Sequence, residues 1–247
     1  MDKNHDLKAI TVLITGGGKG LGKAISEAFA EVGANLIISG RTEEPLRRIA
    51  DEFHSKGISA SVVQMDITKP ESVKNAVREI SSNNPQIDIL VNNAGGFAAG
   101  ALGNFSDEEW DKIIRLNLYG PFYVTKYFLP LLQKAPSPHI FFINSIGGRI
   151  GMKNVSAYAA SKSGVRGFAE SLSEEFRKEG FKITSVFPHM MNSAYEDISD
   201  DKRMKMIETA DVARQIVSIA SSPGYVNIPE ITIYPMSSGI VKRDNLT

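Results

Sequence analysis

Residues 10–33, ITVLITGGGKGLGKAISEAFAEVG, decide the architecture of this chain. The apolar run Ile10 to Thr15 reads as a first strand, and Gly20 to Val32 as an amphipathic helix stopped by Gly33. Between them lie Gly16, Gly17, Gly18 and Lys19, with Leu21 and Gly22 following Gly20. Glycines between a strand and a helix permit a tight turn and let backbone amides approach a pyrophosphate at the positive helix end. A merely flexible turn accounts for one or two glycines, and poorly for five in the eight residues from Thr15 to Gly22.

The same alternation continues outward. Asn35 to Ser39 reads as a second strand, Pro45 to Lys56 as a helix stopped by Gly57, and Ser59 to Met65 as a third strand. Pro70, suited to a first helical position, opens a helix to about Ser82, and Ile87 to Val91 is a fourth strand. Ser106 and Glu109 form a capping-box pattern that starts a long helix towards Leu132, which Pro121 should bend or locally open. Ile140 to Asn144, a helix from Ser156 to Glu179, Ile183 to Phe187, a helix near Ala210 to Ala220, and Ile231 to Tyr234 complete the series. Seven such strands separated by helices imply an α/β protein with a parallel sheet covered on both faces.

Composition narrows the function. At 247 residues with 42% hydrophobic content, one domain with a sizeable core is expected. Lys plus Arg, 28, equals Asp plus Glu, 28, so no global basic field exists to gather nucleic acid or anionic lipid. There is no cysteine, which excludes thiol nucleophiles and thiolate metal sites, and the four histidines show no ligand spacing, so no metal is expected. Met1 to Lys8 is polar and no apolar run is long enough for a bilayer, so a cytoplasmic location is expected.

Tyr158 and Lys162 stand four apart in the predicted helix, sharing one face. The ammonium can make the phenol more acidic, and each unit of lowering from about 10 corresponds to roughly 1.4 kcal/mol of phenolate stabilisation. Such a pair also arises by chance, as a buried ring beside a surface charge. Context argues otherwise, because Ser145 follows a buried strand at the sheet edge where parallel sheets bind ligands. After the second strand, Gly40 and Arg41 leave room and charge for a 2′-phosphate where an acidic residue would favour NAD. Lys19 adds a second cation. Either cation alone reads equally as a solvated surface charge; together they favour NADP(H) over NAD.

The glycine loop, Asn92, Asn93, Ala94 and Gly95, then Asn117, Ser145, Tyr158 and Lys162 together resemble the compact branch of the short-chain dehydrogenase/reductase family, over nearly the whole chain. The resemblance implies a single NAD(P)-binding domain over residues 1–247, with a Rossmann-type doubly wound seven-stranded parallel sheet and helices on both faces. It implies that Tyr158 is the general acid/base, that Lys162 also holds the nicotinamide ribose, that Ser145 steadies the substrate oxygen and that Asn117 positions a water. Thr15, Gly16, Gly18, Lys19, Gly20, Leu21, Gly22 and Arg41 would hold the cofactor. So would Asn93, Ala94, Gly95 and Pro188, while Asp66 and Ile67 would border the adenine. For Asp66 and the Asn pair, turn formation is the competing reading.

Three departures from the family pattern matter. Pro188 is followed by His189 instead of Gly, for which a surface-facing imidazole is expected. The C-terminal Ile228 to Tyr234 resembles the branch acting on small 3-hydroxy acids and related carbonyls. The 3-oxoacyl-carrier-protein reductases are similar in length and motifs, but two arginines associated there with docking the carrier correspond to Pro136 and Glu179. The expected activity is therefore NADP-dependent redox chemistry on a small carbonyl or secondary alcohol. The alternatives are carrier-protein reduction, a non-catalytic NADP-binding regulator, and an epimerase or dehydratase on the same fold. A substrate flap is expected at about 190–208, where Met190, Met191, Tyr195 and Phe97 either line an apolar pocket or pack the flap down. A homodimer or homotetramer is expected through the long helix and the helix carrying Tyr158.

Overall fold

The computed structural model describes residues 5–192 and 206–237. Its first half runs β1 (Thr11–Thr15), α1 (Gly20–Glu31), β2 (Asn35–Gly40), α2 (Glu43–Ser55), β3 (Ala60–Gln64), α3 (Pro70–Asn83) and β4 (Ile89–Asn92). Then follow α4 (Asp107–Ile114), α5 (Gly120–Leu132), β5 (His139–Ile143), α6 (Ser156–Glu175) and β6 (Lys182–Pro188). A two-residue parallel pair, β7 (Met191–Asn192) with β8 (Ile207–Glu208), precedes α7 (Thr209–Ala220) and β9 (Glu230–Ile233). Most of the expected flap, including Tyr195, lies outside the described residues. Among the described residues no helix is long and apolar enough to cross a membrane.

The main sheet has seven strands in the order β3-β2-β1-β4-β5-β6-β9, every neighbouring pair parallel. Side chains alternate across it, as the period of two in a strand requires. Val12 and Ile14 join the core under α1, α2 and α7, while Leu13 joins the opposite core under α3, α5 and α6. The chain leaves β1 in one direction along the sheet and returns to β4 on its other side. The loops after β1 and β4 therefore part at the carboxyl edge, the crevice where doubly wound sheets bind ligands.

Element ends differ from the sequence reading for local reasons. α2 starts at Glu43, so Pro45 sits inside its first turn, where its missing N–H has no intrahelical partner to lose. The capping box forms as read, Ser106 Oγ accepting from Glu109 N (3.1 Å) and Glu109 Oε2 from Ser106 N (3.0 Å). The long helix is opened before Pro121: residues Arg115–Tyr119 form a π-turn in which Gly120 N–H donates to Arg115 O. Pro121 has no N–H to offer the carbonyl four residues back, that of Asn117, so the regular ladder cannot continue there. A second proline, Pro130, is absorbed within α5 on its exposed side, where water can reach the carbonyl it leaves free. The helix carrying Tyr158 ends at Glu175 and tightens into a 3-10 turn, Arg177–Glu179, closed by left-handed Gly180.

One polar group lies deep at the far end of the sheet from the crevice. His139 is 2% exposed and stacks on Phe141, with Nε2 2.8 Å from Thr184 Oγ1. That hydroxyl donates to Ile228 O (2.7 Å), so His139 Nε2 is the donor. Burial, with Lys182 and His5 nearby, holds its pKa well below the usual imidazole value. The unfolded chain therefore binds this proton first: His139 leaves stability intact above about pH 6.5 and lowers it as pH falls below, by up to about 1.4 kcal/mol per unit. Urea denaturation at about pH 7 and about pH 5 should show a larger loss for the wild type than for His139→Phe; equal losses would contradict this.

Candidate active site

The crevice is built by latching the β1 and β4 loops together. Thr15, at the end of β1, is 1% exposed. Its hydroxyl donates to Val91 O (3.3 Å) and accepts from Asn93 N and Ala94 N (3.0 Å each). Those three bonds use its full capacity, so Thr15 acts on a ligand only by shaping the loop. Asn93 reaches back, its Nδ2 donating to Thr15 O (2.9 Å) and Gly16 O (3.3 Å). Gly16 has φ +66°, a left-handed conformation costly for residues with a Cβ. A Cβ on Gly22 would lie 2.1 Å from Gly16 O, so α1 approaches the loop as only glycine allows. Leu21 is buried, leaving the main chain at the start of α1 as the ligand face.

Lys19 and Arg41 are both exposed, and neither has an ion-pair partner among the described residues. Arg41 is anchored through its carbonyl, which accepts from Gln64 Nε2 (2.9 Å). Asp66 Oδ1 accepts from Thr68 N (3.0 Å) and Oγ1 (2.7 Å), so one carboxylate oxygen closes a turn. Ile67 is buried against Gly120 and offers the crevice main chain only.

Around the second group, α6 is docked on the end of β5. Lys162 is 7% exposed, and its Nζ donates to Ile143 O (2.8 Å) while lying 5.9 Å from the centre of the Tyr158 ring. Burial lowers the Lys162 pKa to about 8, so the ammonium is still protonated at neutral pH. Ser145, in extended conformation after β5, accepts from Gly147 N (3.2 Å) through Oγ, which leaves its own proton to donate. Phe97, on the loop after Gly95, meets Tyr158 edge-on at 5.1 Å. Gly95 brings that loop to the same place, where a Cβ would stand 3.6 Å from Lys162 Nζ and 3.1 Å from Asn117 Oδ1.

Asn117 lies in the π-turn and is 1% exposed. Its amide pairs with the main chain of Gly96 (Gly96 N to Oδ1 2.8 Å, Nδ2 to Gly96 O 2.9 Å) and donates to Ser161 Oγ (3.1 Å), which donates to Tyr158 O (2.7 Å). With its side chain so engaged, any water it positions must be held by its main-chain carbonyl, to which Pro121 has no N–H to donate. Two members of this framework escaped the sequence reading. Asn144 Nδ2 donates to Lys162 O (3.1 Å) and its Oδ1 accepts from Ser145 N (2.9 Å), fixing both chemical groups at once. Ser161 is the other; the available signals were a lone Asn ending an apolar strand and a Ser on the helix between Tyr158 and Lys162.

His189 corrects an expectation. It does not face the surface freely: its ring is half-buried, stacked on Tyr234 at 5.3 Å, and Nδ1 is shielded from solvent. The reason is register, because Pro188 pairs with Ile233, which sets the following residues of β6 and β9 side by side. Burial lowers its pKa, so the ring is neutral at neutral pH.

The family model for short chain dehydrogenase matches residues 10–204. An uncharacterized oxidoreductase of Staphylococcus aureus is 31% identical over 224 residues, covering 91% of this chain and 96% of that protein. A crystal structure from Beutenbergia cavernae, provisionally assigned as an NAD(P) dependent gluconate 5-dehydrogenase and holding NADP at low occupancy, superposes with a TM-score of 0.86. It is 28% identical and covers 94% of this chain and 98% of its own. The alcohol dehydrogenase of Thermococcus sibiricus, solved with 5-hydroxy-NADP, shares the fold at a TM-score of 0.88 and 21% identity, over 94% of this chain and 99% of its own. The chain belongs to the short-chain dehydrogenase family and is an NAD(P)-dependent oxidoreductase that acts on CH–OH groups by hydride transfer.

Proposed function

We propose that this dehydrogenase uses NADP(H) to interconvert a free carbonyl compound and its secondary alcohol, with Tyr158 transferring the proton. The observation that carries this reading is the buried Lys162 ammonium beside the Tyr158 ring, held by a hydrogen bond to a main-chain carbonyl. A cation in that position stabilises negative charge on the phenol oxygen. Reduction of a carbonyl then takes the proton from Tyr158, and oxidation of an alcohol returns it. Ser145 donates its free proton to the substrate oxygen. Lys162 also holds the nicotinamide ribose, and the Asn117 carbonyl holds the water through which the proton is replaced.

The loop suits a dinucleotide. The open start of α1 and the close approach at Gly22 form a pyrophosphate cradle, and the exposed Lys19 and Arg41 suit a 2′-phosphate. When bound, the dinucleotide supplies the hydride in reduction and accepts it in oxidation. Gly16, Gly18, Gly20, Leu21 and Gly22 contact it through main chain, Asn93, Ala94, Gly95 and Pro188 border it, and Asp66 with Ile67 flank the adenine. NADP in the Beutenbergia cavernae relative supports the same cofactor here.

A free substrate is favoured over a carrier-bound one because Glu179, hydrogen-bonded to Gln133 at 3.1 Å, presents a negative charge where an acidic carrier needs a cation. A homodimer or homotetramer is proposed through the long helix, where Tyr119 at the end of the π-turn and Tyr123 and Tyr127 on α5 form a stack of rings, and through α6.

Tyr158→Phe should lower turnover by ~10²–10⁴ with NADPH affinity nearly unchanged, measured by stopped-flow absorbance and calorimetry; near wild-type turnover would sink the assignment. NADPH should bind more tightly than NADH, and the double variant Lys19→Ala, Arg41→Ala should erase the difference. Equal calorimetric affinities in the wild type would count against the 2′-phosphate pocket.

A further inference from the structure

The walls around Tyr158 are apolar and exposed. Phe97, whose ring abuts Tyr158, is 59% exposed, Met152 45% and Met190 53%. Met152 is placed beside the phenol by Gly147: a Cβ there would lie 3.1 Å from Tyr158 Cε1 and 3.5 Å from Met152 Cε. Met190 lies two residues beyond the end of β6. Ile143 pairs with Val186, so the continued register sets Ser145 beside Pro188, with Met190 two residues further on. These side chains come from three separate loops, so no single helix or strand face accounts for their exposure. Scattered exposed apolar residues are ordinary, whereas a set converging on a reactive group marks a ligand wall.

The walls are also held in place. Gly100 N–H donates to Asn154 O (2.7 Å), lacing the Phe97 loop to the Met152 loop, and Asn154 sits at φ 64°, a conformation sustained by its surroundings.

Charge is scarce along the same loops. Residues 93–105 contain no charged side chain, and 188–192 contain only His189, which is neutral. In 145–155, Arg149 is turned to the sheet edge, paired with Glu230 (3.1 Å) and Thr232 (2.5 Å) and lying over the Phe187 ring. Lys153 is exposed, and Lys162 is bound to Ile143 O. A substrate carboxylate needs a free cation or a fork of donors, whereas Arg149 and Lys162 are already engaged and what abuts the phenol ring is Phe97, with Met152 beside it.

We infer that the compound reduced or oxidised here carries an apolar group, aromatic or aliphatic, beside the reacting carbon. This rests on the reading that Tyr158 faces that carbon. It departs from the 3-hydroxy acids that the C-terminal segment resembles and from the gluconate named for the Beutenbergia cavernae relative.

Acetophenone and para-acetylbenzoate differ only by a carboxylate and make a matched pair. With the full-length enzyme and NADPH, kcat/KM for acetophenone should exceed that for para-acetylbenzoate by about tenfold or more. Phe97→Ala should lower the acetophenone value by about tenfold without altering NADPH affinity. Equal use of the two ketones, or preference for the carboxylate, overturns the inference. A second arm measures binding of each ketone to Tyr158→Phe with NADP by saturation-transfer NMR. Preferential binding of acetophenone supports the apolar wall even where the wild type turns over neither ketone, an outcome that contradicts the redox reading alone. Binding of neither ketone overturns the inference.

Discussion

The bond from the buried Lys162 ammonium to Ile143 O is the constraint around which the site is arranged. A charge removed from water is costly unless it is paired or hydrogen-bonded, and here a backbone carbonyl at the end of β5 does the holding. That arrangement fixes α6 against the sheet edge, while burial lowers the lysine to a pKa of about 8. It also leaves the cation uncancelled by any carboxylate among the described residues. An acid placed there would neutralise the field that the phenol feels. As pH rises through about 8 the unliganded protein loses this charge, so the same burial that strengthens the field sets its upper pH limit.

A second constraint joins the two sides of the crevice. Thr15 and Asn93 tie the β1 loop to the β4 loop with bonds in both directions. The glycine loop and the segment leading to Phe97 are therefore tied into one piece. Asn117 extends the piece to α6 through Gly96 and Ser161. The π-turn at Arg115–Tyr119 belongs to the same design, since it carries Asn117 into this bridge.

Much of this was legible in the sequence. Strand order is fixed by topology, yet the alternation of apolar runs with amphipathic helices was enough to give seven parallel strands. The placement of Tyr158, Lys162 and Ser145 was readable because spacing alone sets a helix face and a strand end. What was hidden depends on contacts across the chain. Thr15 looked like a cofactor residue but spends its hydroxyl on β4, 76 residues away at Val91. Asn144 and Ser161 carry no spacing signal, because their partners are main-chain atoms. His189 was misread because its burial comes from Tyr234 on another strand.

The central claim is that Lys162 acts on the reaction through Tyr158. The most direct test is a double-variant cycle on single-turnover rates at saturating cofactor, using Tyr158→Phe, Lys162→Met and the pair together. If the claim holds, Lys162→Met costs far less in the Tyr158→Phe background than in the wild type, a coupling of about 1.4 kcal/mol or more. Independent, additive losses would contradict it.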